Sequence, residues 1–230
     1  MRTLFVLLIS TILLTNHIAN VLCQSTFKKY DSKETLISDA EEIIGDFDLF
    51  MREKDVIPPF IPSAEIATSY ALIYWDEAKK SVVLPYWDEL YPEQKELFIA
   101  WRDDSAEEFF ISMFNWFFIP HELGHFILLR DPEYNLTPFE SERAANEFAI
   151  AFLNSNKENQ EKLLFIEKSL HEVLKILPEI DFQNITEEEY FNLNYSKLAG
   201  NPNAYGYFQF KFILDILQNQ DTINIVDYFN

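Results

Sequence analysis

The chain has a single cysteine, Cys23, among 230 residues. One thiol closes no disulfide within a chain, and this one sits at the end of an apolar leader, so the body beyond it has neither a disulfide nor a thiol nucleophile. Basic residues are also scarce: 18 Lys and Arg stand against 38 Asp and Glu, a formal net charge of -20. A surface of that sign repels phosphate backbones and anionic membranes, which argues against nucleic acid as a partner. The acidity is read as a source of solubility rather than as a device for steering basic substrates. There is no internal repeat and no low-complexity tract. Nor is the apolar run from Leu4 to Leu14 long enough to span a bilayer unaided.

What is present is a large stock of core-forming side chains, 48% hydrophobic and 16% aromatic. That is enough for one substantial core, whose stability without disulfides must come from packing, to which a metal could add. The start of the chain, "MRTLFVLLISTILLTNHIANVLCQS", reads as an export signal: Arg2, the apolar segment, then a polar stretch with Asn16 and His17. Val21 and Cys23 suit the positions before a cleavage after Cys23. Residues 1–23 are therefore expected to be a signal peptide and residues 24–230 a single domain, secreted or periplasmic, with no stable membrane insertion after cleavage. Lipid attachment at Cys23 is the lesser alternative, because Val21 and Leu22 fit a lipobox poorly.

Leu36, Ile37, Ala40, Ile43, Ile44, Phe47 and Met51 form the stripe of an amphipathic helix capped by Asp31 or Ser32. "IPPFIP" (57–62) is a rigid connector. "SYALIYW" and "SVVLPYW" flank "DEAKK" and predict a β-hairpin. Pro85 has no N–H to donate, which places the second strand at a sheet edge. Ser105 and Glu108 predict a capping box at the head of a Phe-rich helix that Pro120 kinks or restarts. Thr137, Pro138 and Glu140 announce another helix, and two more are predicted over 158–177 and 202–218. The fold class is thus α+β and mostly helical, with a small antiparallel hairpin packed on helices.

The chemistry gathers in "HELGH" (121–125). On a helix, His121 and His125 share one face at adjacent turns, and Glu122 stands beside them, placed to take a proton from water on a bound ion. A catalytic zinc generally keeps three protein ligands. On the helical wheel of "PFESERAANEFAIAFL", Glu142 falls within the apolar arc of Phe139, Ala145, Ala149, Phe152 and Leu153, whereas Glu140, Arg143, Glu147 and Asn154 lie opposite. A carboxylate facing a core costs several kcal/mol unless a positive partner compensates it. Zinc is one such partner; a salt bridge to Arg130 or Arg143 is the other. Asn146, one turn on, could accept the remaining N–H of a zinc-bound histidine. Gly124, Ala145 and Ala149 are small enough to let the two helices close on one ion.

"HELGH" followed by "ESERAANEFA" resembles the gluzincin arrangement, in which a glutamate on a second helix completes a two-histidine zinc site. Glu142, Ala145, Asn146, Phe148 and Ala149 are similar to the pattern of the ImmA/IrrE metallopeptidase group. "VVLPYWDEL" and the leader resemble a family of secreted bacterial metallopeptidases of undefined substrate. The resemblance spans roughly residues 80 to 155, and Pro120 departs from it, since an aliphatic or small residue usually precedes the first histidine. It implies a zincin-like fold, His121, His125 and Glu142 as zinc ligands, Glu122 as general base, and a peptide or protein substrate laid along the strand from Val82 to Tyr86. Tyr205, Tyr207 and His171 are candidates for a transition-state donor but receive no role. The sequons at Asn135, Asn184 and Asn194 carry little weight without a eukaryotic secretory context. The alternative reading is a non-catalytic zinc-binding or protein-interaction domain on the same fold. A regulator of intracellular DNA-damage responses, as some ImmA/IrrE relatives are, conflicts with the leader.

Overall fold

A computed structural model describes residues 25–129 and 135–229. The predicted signal peptide, Cys23 and Arg130 lie outside the described residues. Helix α1 (Lys33–Glu53) begins where Ser32 accepts a hydrogen bond from the Thr35 amide, so Ser32 is the cap. Its face buries Leu36, Ala40, Ile44, Phe47 and Met51, with Ile37 and Ile43 only partly covered at the margin. Asp48, on the same face, is satisfied by a bidentate pair with Arg52 at 2.7 and 3.2 Å.

Beyond the proline connector come β1 (Ser63–Ile66), β2 (Tyr74–Asp76) and β3 (Ser81–Leu84). The predicted hairpin is present: β2 pairs antiparallel with β3, Trp75 opposite Val82, and Asp76 Oδ1 accepts the Ala78 and Lys79 amides in the turn. Two expectations fail. The sheet is mixed rather than antiparallel, because β1 joins β3 in parallel with Ala64 opposite Val82. The strand order is β1-β3-β2, so the strand holding Val82 is central and buried, not an edge. Pro85 is tolerated because the strand ends at Leu84; its carbonyl accepts from Asn115 Nδ2 at 2.9 Å instead of entering a ladder. The edges are β1 and β2.

Helix α2 (Pro92–Arg102), absent from the sequence reading, has proline in its first turn and Gln94 folding back to accept the Tyr91 amide. Then α3 (Ala106–Ser112), a π-helical turn (Met113–Phe117) and α4 (Phe118–Leu128) run on from one another. Pro120 neither stops the chain nor starts a separate helix. The wide turn before it, in which the Phe118 amide donates to Met113 O, absorbs the missing donor and the bulk of the ring. The predicted capping box at Ser105 is not formed. Ser105 Oγ donates to Arg102 O, while Glu108 Oε1 gathers Ser25 Oγ, the Thr26 amide and the Phe27 amide. That contact straps residues 25–27 to the body and buries Phe27 against Trp116.

Helix α5 (Pro138–Ser155) starts with the predicted box: Thr137 Oγ1 accepts the Glu140 amide and Glu140 Oε2 accepts the Thr137 amide. Helix α6 (Gln160–Leu174) is shorter than predicted, α7 (Glu187–Ala199) was not anticipated, and α8 (Pro202–Gln218) has the predicted bounds. The architecture is mostly helical α+β. Among the described residues, no helix is long and apolar enough to cross a membrane.

Helices α4 and α5 cross at Gly124. A methyl group there would stand 3.0 Å from Ala145 Cα and 3.1 Å from Phe148 Cβ, closer than such atoms pack. Gly45 in α1 has open space around the same position. Alanine in an unhindered helix interior gains about 0.5–1 kcal/mol over glycine. Denaturant titration of Gly45→Ala should therefore show stabilisation of that order. Gly124→Ala should instead be destabilised by about 1–3 kcal/mol through overpacking; stabilisation of both variants would refute the close crossing.

Candidate metal centre

The crossing brings three donor side chains together. His121 and His125 project from the face of α4 that meets α5, and Glu142 reaches them from the second turn of α5. His121 Nε2 lies 3.4 Å from Glu142 Oε2, His125 Nε2 lies 3.5 Å from the same oxygen, and the two Nε2 atoms are 3.2 Å apart. Donors about 2.0–2.2 Å from one ion at tetrahedral angles stand about 3.3–3.6 Å from each other. The two His–Glu sides match that figure and the His–His side, at 3.2 Å, falls just short of it, so one small divalent ion would complete the triangle with little adjustment. His121 and Glu142 are buried, and His125 is half-buried, open toward a cleft. This buried His-His-Glu group is able to hold a metal ion.

The electrostatics couple Glu142 to the two histidines. Burial opposes ionisation of Glu142, yet hydrogen bonds from His121 and His125 and their charges outweigh it and hold the carboxyl well below the usual range. Burial likewise depresses the His125 imidazole, but its hydrogen bond to Glu142 and the charges of Glu142 and Glu122 reverse that, and its pKa stands raised. No arginine does this work among the described residues. Arg143 turns away, 3.9 Å from Asp215 and over the rings of Phe139 and Phe212.

Asn146 and Glu122 are the other residues expected at the site; Ser141, which also adjoins a histidine, is not among them. Asn146, fully buried, sets Oδ1 2.9 Å from His121 Nδ1. Ser141 Oγ lies 3.3 Å from His125 Nδ1. Glu122 stands in the same cleft, outside the ligand triangle, with Oε2 accepting the Trp75 amide at 3.0 Å. Strand β2 therefore orients the carboxylate that adjoins the histidines, a contact that sequence spacing did not suggest.

Two more residues were overlooked. Gln209 on α8 donates Nε2 to Glu142 Oε2 at 2.8 Å, and Tyr195 on α7 donates to Glu142 Oε1 at 3.3 Å. A glutamine amid the aromatics of "YFQFKF" carries the same signal that marked Glu142, a polar group on an apolar face. Of the tyrosines considered, Tyr205 lines the cleft; Tyr207 does not, and His171 is exposed on α6. Burial, aided by the charge of Glu142, raises the Tyr195 phenol to about 12 and Tyr205 well above its ordinary value, so both keep their protons and act as donors. The cleft, about 690 Å³, is lined by the polar cluster together with the apolar side chains of Leu97, Trp101, Phe114, Phe118 and Phe210. Phe118 abuts His121 edge-on, ring centroids 5.2 Å apart.

Compared with family models, curated proteins and solved structures, the chain matches none. The case for the site rests on its own geometry.

Equilibrium dialysis against zinc should load about one ion per chain on the wild type. Glu142→Ala, which deletes one side of the triangle, should lower the affinity at least about 100-fold, since a first ligand counts for more than the outer partners whose loss costs 10–100-fold. Undiminished binding in that variant would remove Glu142 from the site.

Proposed function

We propose that the chain is a secreted zinc-dependent peptidase with a zincin-like fold, in which His121, His125 and Glu142 hold the metal and Glu122 is the general base. The observation that carries this reading is the near-equilateral triangle of donor atoms with a second, non-ligand carboxylate, Glu122, next to His121 on the same helix. Two imidazoles and one carboxylate suit zinc and leave one coordination position open. When bound, zinc supplies Lewis acidity, polarising a carbonyl and acidifying water.

Glu122 takes the proton of the attacking water as the C–O bond forms, and delivers it to the amine as the C–N bond breaks. Its Oε2 is held by the Trp75 amide, which leaves Oε1 to make that transfer. Because β3 is central, the strand available to guide an extended peptide is β2, an edge whose Trp75 amide faces the base rather than β3. The apolar wall beside His121 suits a neutral, bulky side chain on the substrate. Secretion is read from the leader.

Glu122→Gln keeps the shape and the Trp75 contact but cannot accept a proton. Hydrolysis of a mixed peptide library should fall about 10²–10⁴-fold, with zinc content unchanged. A fully active Glu122→Gln enzyme would rule out the assigned base, and a wild type without hydrolysis would leave a metal-binding protein of another kind.

A further inference from the structure

We infer that Gln209 is the positioning residue of the metal centre: a single amide that fixes the carboxylate ligand and, through Asn146, the tautomer of the first histidine ligand. The inference rests on the metal site proposed above. It does not depend on the hydrolytic step.

An ionised carboxylate only accepts hydrogen bonds. The Gln209 atom at 2.8 Å from Glu142 Oε2 must therefore be the NH₂ nitrogen, which turns its carbonyl Oε1 toward Asn146. That oxygen can only accept, so the Asn146 atom facing it at 3.1 Å is Nδ2. Asn146 must then present Oδ1 to His121 Nδ1, at 2.9 Å, and Nδ1 must carry the ring proton. With one proton fixed on Nδ1, the proton that Nε2 shares with Glu142 when no metal is bound is the one an ion would displace, and the Nε2 lone pair would then serve the donor triangle. Each link leaves the next no choice. Reversing the Gln209 amide would set its oxygen against the carboxylate and turn the His121 lone pair away from the site.

The relay runs α8 to α5 to α4, and Gln209, Asn146 and Glu142 are all at least nine-tenths buried, so these hydrogen bonds are held away from bulk solvent. Gln209 touches two partners that between them control two of the three ligands. Tyr195 holds the other oxygen of Glu142, so that carboxylate is clamped from α7 and α8 at once.

The test uses full-length protein and zinc in chelator competition, with Gln209→Leu, Gln209→Met and Gln209→Glu. Loss of an outer partner typically costs about 10–100-fold in metal affinity, and that is the rise in Kd expected for all three. Gln209→Glu separates the two halves of the role. It keeps an oxygen for Asn146 Nδ2 but opposes Glu142 with a like charge, so the Nδ1–H tautomer of His121, read from ring-nitrogen NMR shifts, should persist while affinity falls. Gln209→Leu should lose both, and should also shift the visible bands of the cobalt-loaded protein, with thermal unfolding of the metal-free form changed by only a few degrees. Gln209→Met fills the space with a flexible apolar chain and carries the argument if the leucine variant does not fold. Zinc affinity within twofold of wild type in the variants, or affinity lost only in step with metal-free stability, overturns the assignment. A wild type that binds no zinc defeats the metal site itself, a different result from wild-type binding with indifferent variants.

Discussion

The separation of α4 and α5 at Gly124 governs everything the site can do. A Cβ on residue 124 would stand only 3.0 Å from Ala145 Cα, so glycine lets the backbones meet more closely than a side chain comfortably allows, and the pair Ala145 and Ala149 keeps the opposite face equally low. Short ligands demand this closeness. An imidazole one helix over and a glutamate on its neighbour span a fixed reach, so a wider crossing would open the His-Glu sides of the triangle beyond what one ion can bridge. The small residues are thus part of the chemistry although none of them reacts.

Closeness alone would bury a carboxylate and two imidazoles in an aromatic core, an arrangement that costs several kcal/mol unless each polar atom finds a partner. Here the partners are supplied in sequence: Glu142 is met by both histidines, Tyr195 and Gln209, and Gln209 by Asn146, which meets His121. The network closes without a guanidinium from the described residues. That matters for function, because an arginine on Glu142 would satisfy the charge and compete with a metal for the same oxygen. Among the described residues, no lysine or arginine forms an ion pair with this particular acid.

How far the sequence could be read follows from how local each signal is. Caps and amphipathic stripes are local, so Ser32, the Thr137 box and α8 were legible, and so was Glu142 as a misfit on an apolar arc. Helix α7 buries only Phe191 and Leu198 along its length, and its stripe was too thin to notice, although Thr186 and Glu189 form a cap like that of α5. At Ser105 the same cap pattern was misleading, since the strap at residues 25–27 competes for Glu108. The centrality of β3 depends on β1, a parallel partner brought in by the proline connector, and no property of "SVVLPYW" itself reports it. Gln209 lies 67 residues from Glu142, and only the fold makes them neighbours.

Pro120 illustrates the difference between a local rule and its outcome. A proline one residue before the first histidine should break the helix there, and in a regular α-helix its ring would collide with the carbonyl of residue 116. The π turn over Met113–Phe117 removes that collision by taking one extra residue into the turn. One extra residue also rotates all that follows by about 100° relative to an uninterrupted helix. The Phe-rich segment before it and the histidine segment after it can therefore face different neighbours: Phe109 and Phe110 enter the core with Phe98 and Phe210, while His121 and His125 turn to α5. The proline and the wide turn thus compensate one another, and together they aim His121 and His125 at α5.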